Sequence, residues 1–295
     1  MPISCSIGIF AYNEAANILH LLDAISDQKL NQVQIREIIV VSSASTDGTD
    51  ELVAEYAIKH PLVHLISQPV REGKSSAINL FLAKAVSDIL VVISADVLPA
   101  VDTIEQLVSA FKDPQLGASG GRPFPINSDP SFMAYAVQVL WRLHHRMALV
   151  SPKLGEMIAF RKVMDSIPRE SAVDEASIES IIRAHNLSLR YIPEALIYNK
   201  GPENVRDFIK QRRRIQNGHL WLKQHQHYQV ISQDKSTLFK ILGQELRSRP
   251  QDILRLSLVV ALEFYCRALG SWDYHIKKKN PFAWDIARST KQIKR

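Results

Sequence analysis

Val91-Val92-Ile93-Ser94-Ala95-Asp96-Val97 is the stretch on which the rest of the chain is organised. With Ile89 and Leu90 ahead of it, the run is aliphatic and mostly β-branched, the composition of a strand buried on both faces. It delivers one carboxylate, Asp96, to its carboxyl end. In open α/β sheets ligands collect at that edge, because its loops vary while the strands hold them rigidly. A lone aspartate after a strand more often caps the next helix than binds a ligand. Which of the two Asp96 does depends on what else gathers at the same edge.

Working back from it, Ile3, Cys5, Ile7 and Ile9 alternate with Ser4, Ser6 and Gly8, predicting a strand over 3–10. Asn13 is a good cap for the helix marked by Ile18, Leu19, Leu22 and Ile25. Glu37–Ser42 reads as a second strand, followed by the polar turn Ser43–Thr49 and a helix with Leu52, Val53, Tyr56 and Ala57 inward. Val63–Ser67 is a third strand, Gly73-Lys74 opens a third helix to about Ala85, and residues 103–112 make a fourth. Strand and helix alternating at this spacing predict an α/β fold with a parallel, doubly wound sheet. Glu14, Asp47, Lys74 and Asp96 then share one edge: three carboxylates and a cation, suited to a nucleotide and a metal. No G-x-G-x-x-G follows the first strand and no G-x-x-x-x-G-K-[ST] occurs, so a phosphate here meets carboxylates through a divalent cation instead.

Composition sets outer bounds. The chain has 295 residues, 46% hydrophobic and 22% charged, with net charge +6. That is ordinary globular composition with some preference for anionic partners. Cys5 and Cys266 form neither a disulfide framework nor a zinc pattern, which suits a reducing cytoplasm. The N-terminus lacks a signal peptide's pattern, and no run reaches the ~18 apolar residues of a membrane span.

Taken in order, these turns resemble family 2 glycosyltransferases, whose fold is called GT-A. Ala11-Tyr12-Asn13-Glu14-Ala15 resembles the opening motif, Asp47-Gly48-Thr49 the D-G-S/T turn, and Gly73-Lys74 with Ala77 and Asn79 the G-K-x-x-A-L-N segment. Ser94-Ala95-Asp96 occupies the place of the D-x-D metal motif, with serine for its first acid. The resemblance runs to about residue 220. It implies a doubly wound, mostly parallel sheet with helices on both faces. It also implies that Ala11, Tyr12, Glu14, Asp47, Lys74 and Ala95 line the pocket of a nucleotide-diphosphate sugar, with Asp47 reaching the base. Asp96 would bind Mn2+ or Mg2+.

The second half carries the acceptor side of the resemblance. Gly120-Gly121-Arg122-Pro123 fits the strand after the metal site, and Gly155-Glu156 with the residues to Lys162 resembles the acceptor-lining segment. In the helix over 131–150, His144 and His145 do not share a face and read as surface or groove residues. Val173-Asp174-Glu175 sits where the family has its Glu-Asp pair, whose second acid is the general base; by position that is Glu175, with Asp174 as its neighbour. Without the resemblance both acids could simply favour a helix N-terminus. Residues 190–198 resemble the P-E-A strand. Gln211 and Arg214 match the Q-x-x-R-W motif of polysaccharide-synthase-like and ceramide-glucosyltransferase-like enzymes, with Ile215 for tryptophan. Arginine suits a diphosphate because its planar fork pairs with two oxygens at once. The missing ring favours transfer of a single sugar over processive polymerisation.

Residues 1–225 are thus expected to form the catalytic domain and 226–295 a helical C-terminal extension. Within the extension, an apolar run over 251–270 is broken by Arg255, Glu263 and Arg267 and leads to Trp272, Tyr274, Lys277-Lys278-Lys279 and Trp284. Those charges argue against a span; an interfacial membrane helix, a core helix and a dimer interface all remain open. The expected enzyme inverts the anomeric centre and serves a glycan or lipid-linked acceptor, from the cytoplasm or the cytoplasmic face of a membrane. No nucleic-acid partner is expected. A sugar nucleotidyltransferase and a non-catalytic binder on a decayed transferase fold are the alternatives.

Overall fold

The computed structural model describes residues 2–278 and Thr290. Lys279 and Trp284, which belong to the basic and aromatic end of the tail, lie outside the described residues.

Eight strands form one sheet in the order β3-β2-β1-β4-β7-β6-β8-β5. Its first half is built as the alternation predicts: β1 (Ile3–Ala11), β2 (Val33–Ser43), β3 (Val63–Gln68) and β4 (Ile89–Ser94) all run parallel. The crossovers are α1 (Ile18–Ser26), α2 (Thr49–Lys59) and α3 (Lys74–Lys84). The second half is mixed. β7 (Met157–Arg161) inserts antiparallel between β4 and β6 (Leu116–Pro125), while β8 (Ser188–Asn199) runs parallel to β6 and antiparallel to β5 (Val97–Pro99).

The strands are apolar on both sides because both faces are covered. Ile7, Ile9, Val91 and Ile93 pack against α1, α2 and α4 (Thr103–Ser109). Leu90, Val92, Ile158 and Phe160 pack against Phe81 of α3 and Ile178 and Ile182 of α6 (Asp174–Ala184). Gly8 is required where α3 crosses: a Cβ there would lie 2.7 Å from the Phe81 ring. A third cluster joins α5 (Phe132–Val150) and α7 (Val205–His225) to α8 (Lys235–Ser248) and α9 (Ile253–His275). The helices after residue 225 therefore share a core with two helices before it.

β4 ends at Ser94 and β5 begins at Val97, yet four strand steps separate them in the sheet. A flat sheet would put them about 19 Å apart, whereas three Cα–Cα links reach about 11 Å at most. The sheet must curl back on itself, and the turn holding Asp96 closes it.

Candidate active site

The carboxyl edge is assembled turn by turn, beginning with β1 and β2. Asn13 does not cap α1, which starts at Ile18 behind Asn17. It adopts φ 53° and ties the two turns together: its N–H donates to Ser45 Oγ at 3.1 Å, and its Oδ1 accepts from Thr46 N–H at 2.8 Å. The small polar side chain of asparagine tolerates that left-handed backbone. Glu14 N–H donates to Thr49 Oγ1 at 2.9 Å, and the buried Glu14 carboxylate accepts from Asn17 Nδ2 at 2.8 Å. Asp47 accepts from Ala15 N–H at 3.1 Å and from Thr49 Oγ1 at 2.5 Å. Burial raises its pKa, but those donors outweigh it and hold Asp47 below the ordinary carboxylate value. Beside this corner the Arg71 guanidinium covers the Tyr12 ring at 4.0 Å. Ala11 and Ala95 are buried in the floor, where Ala95 N–H donates to Phe10 O at 3.1 Å.

The second corner gathers charge. Gly73, at φ 89° and ψ 165°, holds a conformation open essentially to glycine alone and sets Lys74 at the first turn of α3. Lys74 Nζ lies 2.6 Å from Asp174 Oδ2 and 2.8 Å from Glu175 Oε1, both in the first turn of α6. The contact is braced from behind: Ser75 Oγ donates to Ser171 O at 2.8 Å, and Asn79 exchanges two hydrogen bonds with Ile167. Val173 offers no side-chain cap, so the two acids also answer the helix dipole. Burial alone would lower the Lys74 pKa; the Asp174 and Glu175 charges reverse that and raise it. Burial and the neighbouring Glu175 raise Asp174. Burial pushes Glu175 upward too, but Lys74 and Arg214 prevail and lower it.

Asp96, whose pKa burial raises, lies within the field of Lys74, Arg214 and Glu175. Glu156, just before β7, is pushed up to about 7 by burial and by the charges of Asp96 and Glu175. Arg214 on α7 faces all four acids: Asp174, Glu175, Asp96 and Glu156. Four carboxylates thus surround two cations, an excess that a divalent ion would neutralise. Among the described residues no three Asp, Glu, His or Cys side chains converge as a ready-made cage. Mg2+ and Mn2+ do not require one, since one or two carboxylates, water and substrate phosphates suffice. Asp96 with its hard oxygens fits that donor set.

Not every expected residue points here. Of the three consecutive arginines, Arg212 pairs with Glu263 at 2.6 Å and Arg213 with Asp273 at 2.6 Å, both on α9. Only Arg214 faces the acids. Gln211 is half-buried on α7, one turn before it. Gly155 adjoins His144, and a Cβ at this glycine would lie 3.8 Å from the ring. His144 itself is 6% exposed, so of the surface and groove readings the surface one is corrected; burial holds its pKa well below the ordinary histidine value. His145 meets the Tyr191 hydroxyl at 2.9 Å, and the His144 ring lies edge-on to the same tyrosine. Sequence reasoning passed over Asn199, at the end of β8, which is 5% exposed and lies near Glu156. No motif announced it.

With this geometry in view, the chain can be set beside known proteins. A model of glycosyl transferase family 2 matches residues 6–180. The chain belongs to that family. A dolichyl-phosphate beta-glucosyltransferase of Trichomonas vaginalis is 34% identical over 107 residues, covering 35% of this chain and 32% of that protein. A probable glycosyltransferase of Bacillus subtilis is 26% identical over 235 residues, or 74% of this chain and 55% of the other. The chain thus spans between a third and about half of these relatives. Among solved structures, a mannosyltransferase from Pyrobaculum calidifontis, in complex with GDP-Man and Mn2+, superposes with a TM-score of 0.63 at 23% identity, over 95% of this chain and 87% of that one. This family 2 chain therefore has the GT-A fold, with its acids and cations at the edge where such a fold binds ligands.

Proposed function

We propose that the chain is an inverting glycosyltransferase that moves a sugar from a nucleotide-diphosphate sugar to an acceptor hydroxyl on a glycan or lipid. The observation that carries this reading is the convergence of Lys74, Asp96, Asp174, Glu175 and Arg214 at the carboxyl edge of the sheet. Glu175, ionised beside Lys74, takes the proton of the acceptor hydroxyl as its oxygen bonds to the anomeric carbon. The bond from that carbon to the diphosphate oxygen breaks on the opposite face, and the nucleoside diphosphate leaves with the electron pair. Arg214 and Lys74 bind the departing charge. Asp96 would hold Mn2+ or Mg2+, which, when bound, neutralises the diphosphate as a Lewis acid. The Pyrobaculum relative in fold carries Mn2+ with its donor, which supports the metal. Asp47 is an acceptor of hydrogen bonds, so a base with a ring N–H suits it: uracil, guanine or thymine. A UDP-sugar is the favoured donor. Gly155 and Glu156 border the acceptor.

The acceptor's setting follows from α9. Most of its charges turn inward, where Glu263 and Asp273 hold Arg212, Arg213 and Arg267, while Arg255 stays exposed. Its apolar residues turn outward: Leu254 is 79% exposed, Leu258 60%, Phe264 74% and Trp272 54%. No helix among the described residues is long and apolar enough to cross a membrane. A helix that keeps so apolar an outer face suits the surface of a bilayer, with Lys277 and Lys278 at its end meeting anionic headgroups. Binding to vesicles of phosphatidylglycerol that fails for Leu258→Glu/Phe264→Glu supports a membrane-borne acceptor; equal behaviour of both proteins sinks it.

The central test is calorimetry with UDP-, GDP- and dTDP-sugars, with and without Mn2+, followed by release of nucleoside diphosphate. One donor is expected to bind and turn over, with turnover lost in Glu175→Gln while binding persists. Failure of every donor to bind would return the chain to the non-catalytic alternative.

A further inference from the structure

We propose that Glu156 supplies the second carboxylate of the divalent-cation site, in place of the acid that Ser94 lacks. This rests on the transferase reading and deepens it.

The ladder between β4 and β7 carries the argument. Its antiparallel rungs run from Ile89 opposite Arg161 to Ile93 opposite Met157. The ladder ends there, where Glu156 at φ 62° leaves the extended backbone, so Ser94 and Glu156 are the next residues on two adjacent strands at one edge of the sheet. A carboxylate absent from the end of one strand is thereby present at the end of its neighbour. The two acids interact: Asp96 is the foremost charge acting on Glu156.

The backbone adds a second observation. Glu156 has φ 62°, a left-handed conformation costing a non-glycine residue on the order of 1 kcal/mol or more. Gly155, which would adopt it freely, stands one residue earlier in an ordinary conformation. Strain borne by a glutamate beside an available glycine is the pattern of a side chain held for its chemistry.

Asn199 adds a third. Its register partner is Val97, the residue after Asp96, and it lies near enough to Glu156 to act on that carboxyl. Asn199 is 5% exposed, yet its Oδ1 has no hydrogen-bond partner among the described residues. An orphaned amide oxygen is costly to bury. Here it is a hard oxygen on the strand that pairs with the end of the Asp96 turn, the ligand type that Mg2+ and Mn2+ prefer. A merely structural acid would explain the strain but not the empty acceptor next to it.

The test titrates Mn2+ into the protein, alone and with UDP or GDP, following the electron paramagnetic resonance signal of free Mn2+. Wild type, Asp96→Asn, Glu156→Gln and Ser94→Asp/Glu156→Gln are compared, with thermal melts to verify folding. Asp96→Asn and Glu156→Gln are each expected to weaken Mn2+ at least tenfold. The double variant, with the acid moved back to the end of β4, should return to within threefold of wild type. Wild-type affinity in Glu156→Gln, alongside loss in Asp96→Asn, would overturn the inference and leave the transferase reading standing. A double variant that recovers nothing would overturn it too. So would a wild type that binds no Mn2+ but still turns over donor.

Discussion

The ammonium of Lys74 and the carboxylate of Glu175 meet at 2.8 Å across 101 residues of chain. The proposed base is therefore ion-paired before any acceptor arrives, and its proton affinity is set by a residue from the other half of the sheet. Replacing Lys74 by methionine removes the charge that lowers Glu175. The acid limb of the kcat–pH profile should then move to higher pH, because Glu175 would stay protonated further up the scale. Losing one partner of this largely buried pair should also destabilise the fold by about 3 kcal/mol. An unmoved acid limb would take Glu175 out of the base role.

Asp47 has two separable tasks, and two substitutions divide them. Its Oδ1 accepts from Thr49 and its Oδ2 from Ala15. Asp47→Asn keeps one carbonyl oxygen for the turn but offers the base less. It should raise the donor KM roughly tenfold, as for the loss of about 1.4 kcal/mol, with little change in melting temperature. Asp47→Ala should raise the KM as much and lower the melting temperature as well. A KM unchanged in both variants would make Asp47 a turn residue alone.

Glu179 predicts a pH dependence of stability. It is 1% exposed, accepts from Leu154 N–H at 2.6 Å and from the Tyr228 hydroxyl at 2.9 Å, and is raised by burial from 4.5 to about 7. Between those values the unfolded chain releases this proton and the folded chain keeps it. Folding is then favoured at the acid end of the window, and stability falls as pH rises through it. Glu179→Gln cannot titrate, so its stability relative to wild type should improve from pH 5 to pH 8, by at most about 3 kcal/mol. Denaturant melts of both proteins at the two pH values measure this difference directly.

Gly270 fixes how closely α9 approaches α7. A Cβ there would lie 2.7 Å from Arg213 O and 2.8 Å from Gln216 Cβ. Gly270→Ala should force the helices apart and cost about 1–3 kcal/mol. Amide exchange in α9 should speed up while that of β1 and β4 stays slow. Uniform change across the chain would mean that α9 belongs to the same cooperative unit as the sheet.

The parallel half of the fold was legible because each buried strand writes its own aliphatic run and each turn its own polar punctuation. β5 was not, being three residues long, and neither was β7, whose five residues follow Glu156 without a break in polarity to mark a strand. Its place between β4 and β6 is a tertiary fact with no local signal. Within the site, Lys74, Asp96, Asp174 and Glu175 could be singled out from the chain, since each opens a helix or ends a strand. Their mutual contacts could not. The three arginines illustrate the limit: side chains one residue apart on a helix diverge by about 100°, so a cluster in sequence became two struts to α9 and one ligand group at the site.

The curl that joins Ser94 to Val97 has a consequence for motion. Only Ala95 and Asp96 lie between two strands, and both flanks are fastened, by Ala95 N–H to Phe10 O and by Val97 to Asn199 in the β5–β8 ladder. A two-residue bridge tied at both ends cannot swing. The corner around Asp96 is therefore preorganised and costs little to reorganise when a donor arrives. Any opening and closing during turnover has to be carried by other segments, and an inhibitor aimed at this corner would meet a rigid surface instead of a moving one.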